Sequence, residues 1–441
     1  MLFRRNVYWV FAFSVFLAAT CCPVFAQIVS APQQGPETIR KINLPIEAWL
    51  SQGERTEIPW KVSLSKPVLT FQLRNLVRVT ADLQADLLQK ESIKHDLHFM
   101  VKVSPDGGPW KEGESYTHFQ TEKKLDTRTD IQMLAELYLQ SGTYTIATIA
   151  YDAISGKRNL SFNRIQISAP DPDPLPELLN GLPKIQFLPP PDNAAPLGPG
   201  HVSLPVTTVR PVQLDLIVDL STYEEEDRDM EAADTARMPI TARGGMWPPL
   251  APMLPASETA SQQTVAQSLV LETASVLSAI DLKQGCIQVT ALDVLRRRTI
   301  LPPTSASNVD WDKIRDEIMA PDKAMISVAD LKGRQRAGKF FQEEVEKLMT
   351  QPPCKLDSAE PLHMIAILSR GVSFPSGSNQ PKIESGCNCK IIYLQKSDGF
   401  HGADNLKNML KPLSPKLLQF GDPEDFRRKL FEFTQTIKRS P

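Results

Sequence analysis

Asp219 and Ser221 stand two residues apart at the end of an apolar run from Val212 to Leu220. A carboxylate and a hydroxyl released together at a strand end are hard oxygen donors. With waters and a further acidic group they can complete an octahedron around Mg²⁺ or Mn²⁺. Tyr223 takes the next alternate position and offers a phenol. A second apolar run, Leu362 to Leu368, ends in Ser369-Arg370-Gly371. It brings a hydroxyl and a cation to the end of that run. Asp398, after a later run, is the remaining acid that could reach such a site. These residues define a rim suited to binding without a metal. If an ion were held, Asp219 and Ser221 would hold it. The plainer role for the pair is a strand-to-loop turn capped by its own side chains.

Gly371-Val-Ser373-Phe-Pro375 is the other arrangement with chemical potential. A nucleophile elbow, Gly-x-Ser-x-Gly, needs its final glycine and a helix N-terminus for the oxyanion hole. Here proline replaces that glycine and a polar loop follows, so a serine hydrolase built on Ser373, His401 and Asp398 ranks behind a surface loop. His95 and His98 are three apart in a strand pattern, which places them on opposite faces and predicts a solvated edge rather than a metal clamp. Arg296-Arg297-Arg298 is too short a basic run for nucleic acid and reads as a solvated turn.

These residues need elements to position them. Residues 46–168 show period-two alternation, as in Val77-Arg78-Val79-Thr80 and Phe99-Met100-Val101-Lys102. Repeated strands and turns of that kind predict an antiparallel β-sandwich, immunoglobulin-like in architecture. Residues 169–211 are rich in proline, beginning Ala169-Pro-Asp-Pro-Asp-Pro174, and predict an extended spacer. From Val212 to the end, apolar strands alternate with amphipathic helices. That pattern predicts an α/β, doubly wound, mostly parallel sheet whose ligands bind beyond the carboxyl ends of its strands. Strands are expected at Val212–Leu220, Cys286–Leu292, Ala324–Ala329, Leu362–Leu368, Cys389–Leu394 and Leu417–Phe420. Helices are expected near 263–281, at Val309–Met319 behind Asn308 as cap, at 335–349 and at 403–410. The last helix is marked by Asp422 as cap, Pro423 at its first position, and Phe426, Leu430, Phe433 and Ile437 on one face.

Together, Leu214-Asp-Leu-Ile-Val-Asp219-Leu-Ser221, Met364-Ile-Ala-Ile-Leu-Ser369, Ile391-Ile-Tyr-Leu394 and Leu417 to Phe426 resemble a von Willebrand factor type A domain over about residues 206–440. The chain is similar to an exported, acidobacterial-type variant of that domain, which a β-sandwich often accompanies. The resemblance implies a metal-ion-dependent adhesion site of the form Asp-x-Ser-x-Ser, with a threonine from a second loop and an aspartate after the fourth strand. Asp219 and Ser221 match the first two positions. Tyr223 and Ser369-Arg370 depart from the pattern, and residues 330–336 offer no clear threonine. The implied function is protein binding with a degenerate metal site.

The chain has 441 residues with 49 basic and 51 acidic side chains, which gives no electrostatic reason to expect nucleic acid. Residues 1–26 read as a secretory signal peptide, with Arg4 and Arg5 before a short apolar stretch and Val24-Phe25-Ala26 at its end. A lipobox reading at Ala18-Ala19-Thr20-Cys21 is weakened by threonine before the cysteine. No later segment is apolar enough to span a membrane, so an extracytoplasmic, periplasmic or secreted protein is expected. The mature chain keeps Cys286, Cys354, Cys387 and Cys389, whose even number points to disulfides in any of three pairings. Residues 224–262 form an acidic, then Pro- and Met-rich insertion at the expected binding edge. There Trp247 stands out as a contact for a protein partner.

Overall fold

A computed structural model describes residues 28–30, 44–90, 94–111, 115–121, 124, 130–169, 175, 181–188, 203–221, 268–319, 336–352, 361–374, 382–384, 386–397 and 404–439. The expected strand at Ala324–Ala329, the insertion with Tyr223 and Trp247, the signal segment, Cys354, Asp398 and His401 lie outside the described residues.

The N-terminal unit contains β1 (Ile28–Ser30), helix α1 (Ile46–Gln52), β2 (Arg55–Thr56), β3 (Lys61–Leu64), β4 (Val68–Leu69) and β5 (Asn75–Gln84). A one-turn helix α2 (Ala85–Leu88) leads to β6 (His95–Pro105), β7 (Ser115–Thr121), β8 (Asp130–Leu139), β9 (Gly142–Asp152) and β10 (Arg158–Ile167). One sheet runs β1-β8-β5-β3 with β4 also on β5, and the other runs β2-β10-β9-β6-β7. All pairings are antiparallel except β1 with β8. The alternation seen in the sequence places Val77, Val79, Ala81 and Leu83 opposite Leu97, Phe99, Val101 and Ile146 in one core between the sheets. The second sheet is also covered on its outer face. There α1, which the alternation did not foretell, packs Trp49 and Leu50 on Met100, Tyr116 and Ile149.

That extra layer corrects the reading of the histidines. His95 and His98 do face opposite ways, but β6 is an interior strand and both rings are buried. An alternating pattern shows only that faces differ. Whether the polar face meets water depends on what packs over it.

The proline-rich segment also departs from a free spacer. Its described pieces include β11 (Ile185–Phe187), which adds to β8, and β12 (Leu204–Val206). Leu175 and Leu182 sit in the C-terminal core. Proline lacks an N–H but leaves its neighbours free to pair at a sheet edge, which is where these short strands lie.

The C-terminal unit begins with β13 (Val212–Asp219), followed by helix α3 at residues 268–278, β14 (Ile280–Leu282) and β15 (Gly285–Asp293). β12 and β14 pair in parallel as a separate ribbon. Next come β16 (Arg298–Ser305), α4 (Trp311–Met319), α5 (Ala337–Thr350) and β17 (Leu362–Ser369). The chain closes with β18 (Lys390–Lys396), α6 (Asn405–Leu410), β19 (Lys416–Phe420) and α7 (Pro423–Lys438). The sheet order is β16-β15-β13-β17-β18-β19, parallel throughout except for the β15–β16 hairpin. Among the described residues, no helix is long and apolar enough to cross a membrane.

Every residue of β13 is buried, and its two faces differ. Val212, Leu214, Leu216 and Val218 pack with α3, α4 and α7, whereas Ile217 joins the core under α5 and α6. The alternate positions Gln213, Asp215 and Asp219 share that second face. Two local expectations are corrected. The cap of α4 is Asp310, which accepts from the Lys313 N–H at 3.0 Å, and not Asn308, which lies in a 3₁₀ turn. Burial of Trp311 in the core starts the helix later. Arg296 is not solvated: it folds back so that its guanidinium lies 3.5 Å from buried Asp293.

The two units dock through the turn before β5. Phe71 inserts between Phe420 and Phe426, with ring centroids 6.1 and 5.8 Å away. The Lys396 ammonium lies 5.2 Å from the Phe71 ring centroid, and Gln72 donates to the Ser275 hydroxyl at 3.1 Å. Leu73 takes φ 62° to make this turn, an unusual conformation for a residue with a side chain, held here by its burial in the second unit's core.

Candidate functional site

The order of the parallel sheet reverses between β13 and β17, so the crevice beyond their carboxyl ends is the switch point where open α/β sheets bind ligands. Asp219 and Ser369 end these two strands. Ser369 donates to Asp219 Oδ2 at 2.8 Å. Ser221 donates to Asp219 Oδ1 through its hydroxyl at 2.5 Å and its backbone N–H at 3.1 Å. The two serine oxygens are themselves acceptors, Ser221 from Leu295 N–H at 3.2 Å and Ser369 from Gly371 N–H at 3.0 Å. The sequence-derived trio thus meets at one point, as a closed knot rather than an open cradle.

Burial pushes the Asp219 carboxyl up to about 6, and nearby Asp293 adds to the rise. The hydrogen bonds from Ser221 and Ser369 oppose it without overcoming it. This arrangement does not fit the divalent ion that an adhesion site would hold. Among the described residues a single carboxylate faces the point, and both its oxygens are engaged by protein donors. Asp293, whose charge acts on Asp219, is turned to Arg296.

A second node lies beside the first, and the sequence reading missed it. Asp404 is the N-cap of α6, accepting from Leu406 and Lys407 N–H. Its side chain also accepts from Tyr393 at 2.7 Å, Gln395 at 3.0 Å and Val372 N–H at 3.3 Å. Burial, and then Asp404, drive the Tyr393 phenol well above its ordinary range, so it stays a neutral donor. Gly371, at φ 89°, passes so close that an added Cβ would sit 3.3 Å from the Asp404 carboxyl carbon. The legible signal was a capping residue before a short helix. Nothing in the spacing shows that the cap also ties β18 to the loop after β17. Replacing Asp404 by alanine should cost about 2 kcal/mol, since a cap and several buried donors lose their acceptor together. Urea unfolding checks this; a change within about 0.5 kcal/mol, the range of ordinary surface sites, would refute it.

Arg370 stands half-buried at the rim between these nodes. Ser373 follows in irregular chain that is pinned to α6, with Asn405 bonding both Phe374 N–H and Phe374 carbonyl at 3.3 Å. The described residues of that turn, 371–374, include no helix.

At the opposite end of the sheet, buried Asp215 lies 2.5 Å from His363 Nε2, and His363 Nδ1 lies 3.2 Å from Cys389 Sγ. Cys389 is bridged to Cys387, and Cys286 is also disulfide-bonded. The pairing left open by the sequence therefore includes a bridge across a single residue. A cavity of about 290 Å³ adjoins this cluster, lined by Arg210, Gln213 and Gln351 among others.

No family model and no curated protein matches the chain. Two solved structures are similar at a very low level, both of glycosyl hydrolase family 2 members from Bacteroides cellulosilyticus. They share 8% and 10% identity with this chain at a TM-score of 0.18. The alignments cover 72% and 80% of this chain but only 37% and 36% of theirs. This chain therefore spans well under half of either, and likeness at that score bears on neither fold nor function.

Proposed function

We propose that this is an exported, non-enzymatic binding protein whose C-terminal unit is a von Willebrand factor type A-like domain and whose N-terminal unit is an immunoglobulin-like sandwich. It captures a protein partner at the rim above the buried Asp219, Ser221 and Ser369 knot, where Arg370 stands half-buried, without a metal. The observation that carries this reading is the Asp219 knot at the switch point. The position expected of an adhesion site is kept, while its ligand atoms are turned inward on one another. Arg370 gives the rim a cation beside the knot, which suits an acidic group on the partner. The insertion that follows Ser221 in the sequence supplies Tyr223 and Trp247 as further candidate contacts.

Melting of the metal-stripped mature chain carrying His118→Ala, alone and in millimolar Mg²⁺ or Mn²⁺, tests the metal-free part, since that substitution removes the separate histidine cluster of the N-terminal unit from the comparison. A ligand that binds only the native state must raise its melting temperature, so equal melting in all three is expected. A rise that Asp219→Ala abolishes would restore the metal-dependent adhesin. The rim itself is tested by a photo-crosslinking residue placed at 370 and, as comparison, at exposed Ile154 on the far unit. A discrete adduct with extracytoplasmic protein from 370 alone is expected. The same adducts from both positions would remove the rim from the model.

A further inference from the structure

β6 and β7 pair so that His98 stands directly opposite His118, with Asp96 opposite Gln120. Asp96 precedes His98 by two residues, so the carboxylate and both imidazoles share one face of the sheet. The rings stack with centroids 4.7 Å apart and planes 18° apart. Both turn their Nε2 atoms toward the same oxygen, Asp96 Oδ1. His118 Nε2 is hydrogen-bonded to it, and His98 Nε2 lies 3.6 Å away. The three candidate donor atoms lie within 4.8 Å of one another.

His98 supplies the independent observation. It is 1% exposed, and its Nε2 is buried without a hydrogen-bond partner. An orphaned ring nitrogen in a folded interior is costly, and it points at the one place where its two neighbours converge. Its other nitrogen, Nδ1, is held by the Tyr116 hydroxyl at 2.6 Å. When Nδ1 carries the proton and Tyr116 accepts it, Nε2 presents a bare lone pair. Metal-bound histidines are oriented in this way, by a partner on the nitrogen that does not bind.

We propose that Asp96, His98 and His118 form a site for a divalent ion of the zinc class. Two imidazole nitrogens and one carboxylate oxygen match the donor preference of Zn²⁺, Co²⁺ or Ni²⁺ and are a poor set for Mg²⁺ or Ca²⁺. Three protein ligands leave a fourth position. It opens toward the end of the strand pair, where Asp96 is half-buried and Gln120 exposed. The site lies in the N-terminal unit, apart from the Asp219 rim, and stands whether or not that rim binds a partner.

The test uses tag-free mature protein with its disulfides intact, stripped with EDTA and dialysed. Zn²⁺ is titrated calorimetrically, and Co²⁺ serves as an optical probe of nitrogen and oxygen ligation. One zinc per chain is expected. Affinity should fall at least about a hundredfold in His118→Ala, on the edge strand β7, and in Asp96→Asn, since losing a ligand exceeds the effect of losing its support. Val68→Ala, exposed and in the other sheet, should bind as the unaltered chain does. Circular dichroism confirms that the variants remain folded. Absence of saturable zinc binding by the folded wild type would overturn the proposal. So would binding that survives both ligand variants, or binding lost instead in His363→Ala, which would assign the ion to the cysteine cluster.

Discussion

Phe71→Ala should destabilise the chain by about 3–5 kcal/mol and uncouple its two units. Phe71 is almost wholly buried, and its partners Phe420 and Phe426 belong to the other unit. Those two rings also face each other at 5.1 Å, so removing the third leaves a cavity whose walls are already fixed against their own sheet and helix. The loss reaches the charged residues around it. Lys396 is buried against the Phe71 ring, and its charge acts on Glu272 in α3, whose carboxyl burial pushes up to about 7. On the N-terminal side of the junction, Arg74 next to the docking turn sits over Tyr138 at 4.7 Å and donates to Gln186. Without the aromatic plug, water reaches these groups and the docking they support weakens. Calorimetry should show one cooperative transition in the wild type and two in Phe71→Ala. Val68→Ala, a few residues earlier but 60% exposed, should stay within about 0.5 kcal/mol of wild type. A single transition with unchanged midpoint in Phe71→Ala would mean that the units are coupled elsewhere.

That junction shows where sequence reading reaches its limit. The strand-helix alternation after Val212 was legible because β13, β17 and β18 are buried on both faces and read as apolar runs. The closing helix was legible to the residue, since Asp422, Pro423 and the stripe at Phe426, Leu430, Phe433 and Ile437 each act locally. Phe71 carries no such mark. In sequence it is one aromatic in a turn, and its role depends on two rings some 350 positions away. The polar site divides in the same way. Asp219, Ser221 and Ser369 were found because each follows an apolar run at a strand end. Asp404, Tyr393 and the His98–His118 pair were missed because their meaning lies in cross-strand register and in which face another element covers. Register is fixed by pairing partners, and one chain read alone does not display them.

Asp219→Asn should stabilise the protein at neutral pH, by an amount that grows between pH 4 and pH 7. Burial holds the Asp219 carboxyl at about 6, above its value in the unfolded chain near 4. The folded state therefore keeps the proton longer than the unfolded state does. Its advantage is full below pH 4 and is lost as pH rises through about 6, a swing of about 3 kcal/mol. An asparagine cannot ionise, so it removes that swing. Its carbonyl still accepts from Ser221, and its amide can donate to Ser369, whose hydroxyl is free to rotate. Urea unfolding of both proteins at pH 4.5 and 7.5 measures the difference directly, with other titrating groups cancelling in the comparison. Asp219→Ala should lose stability at both pH values, because the donors of Ser221 and Ser369 are then left without an acceptor. If Asp219→Asn follows the wild-type pH dependence, the carboxylate is already well solvated and the closed knot is not its resting state. If the swing disappears, the chain carries a buried acid that a single amide would improve. A residue that lowers stability at a switch point is a candidate for a role other than holding the fold together.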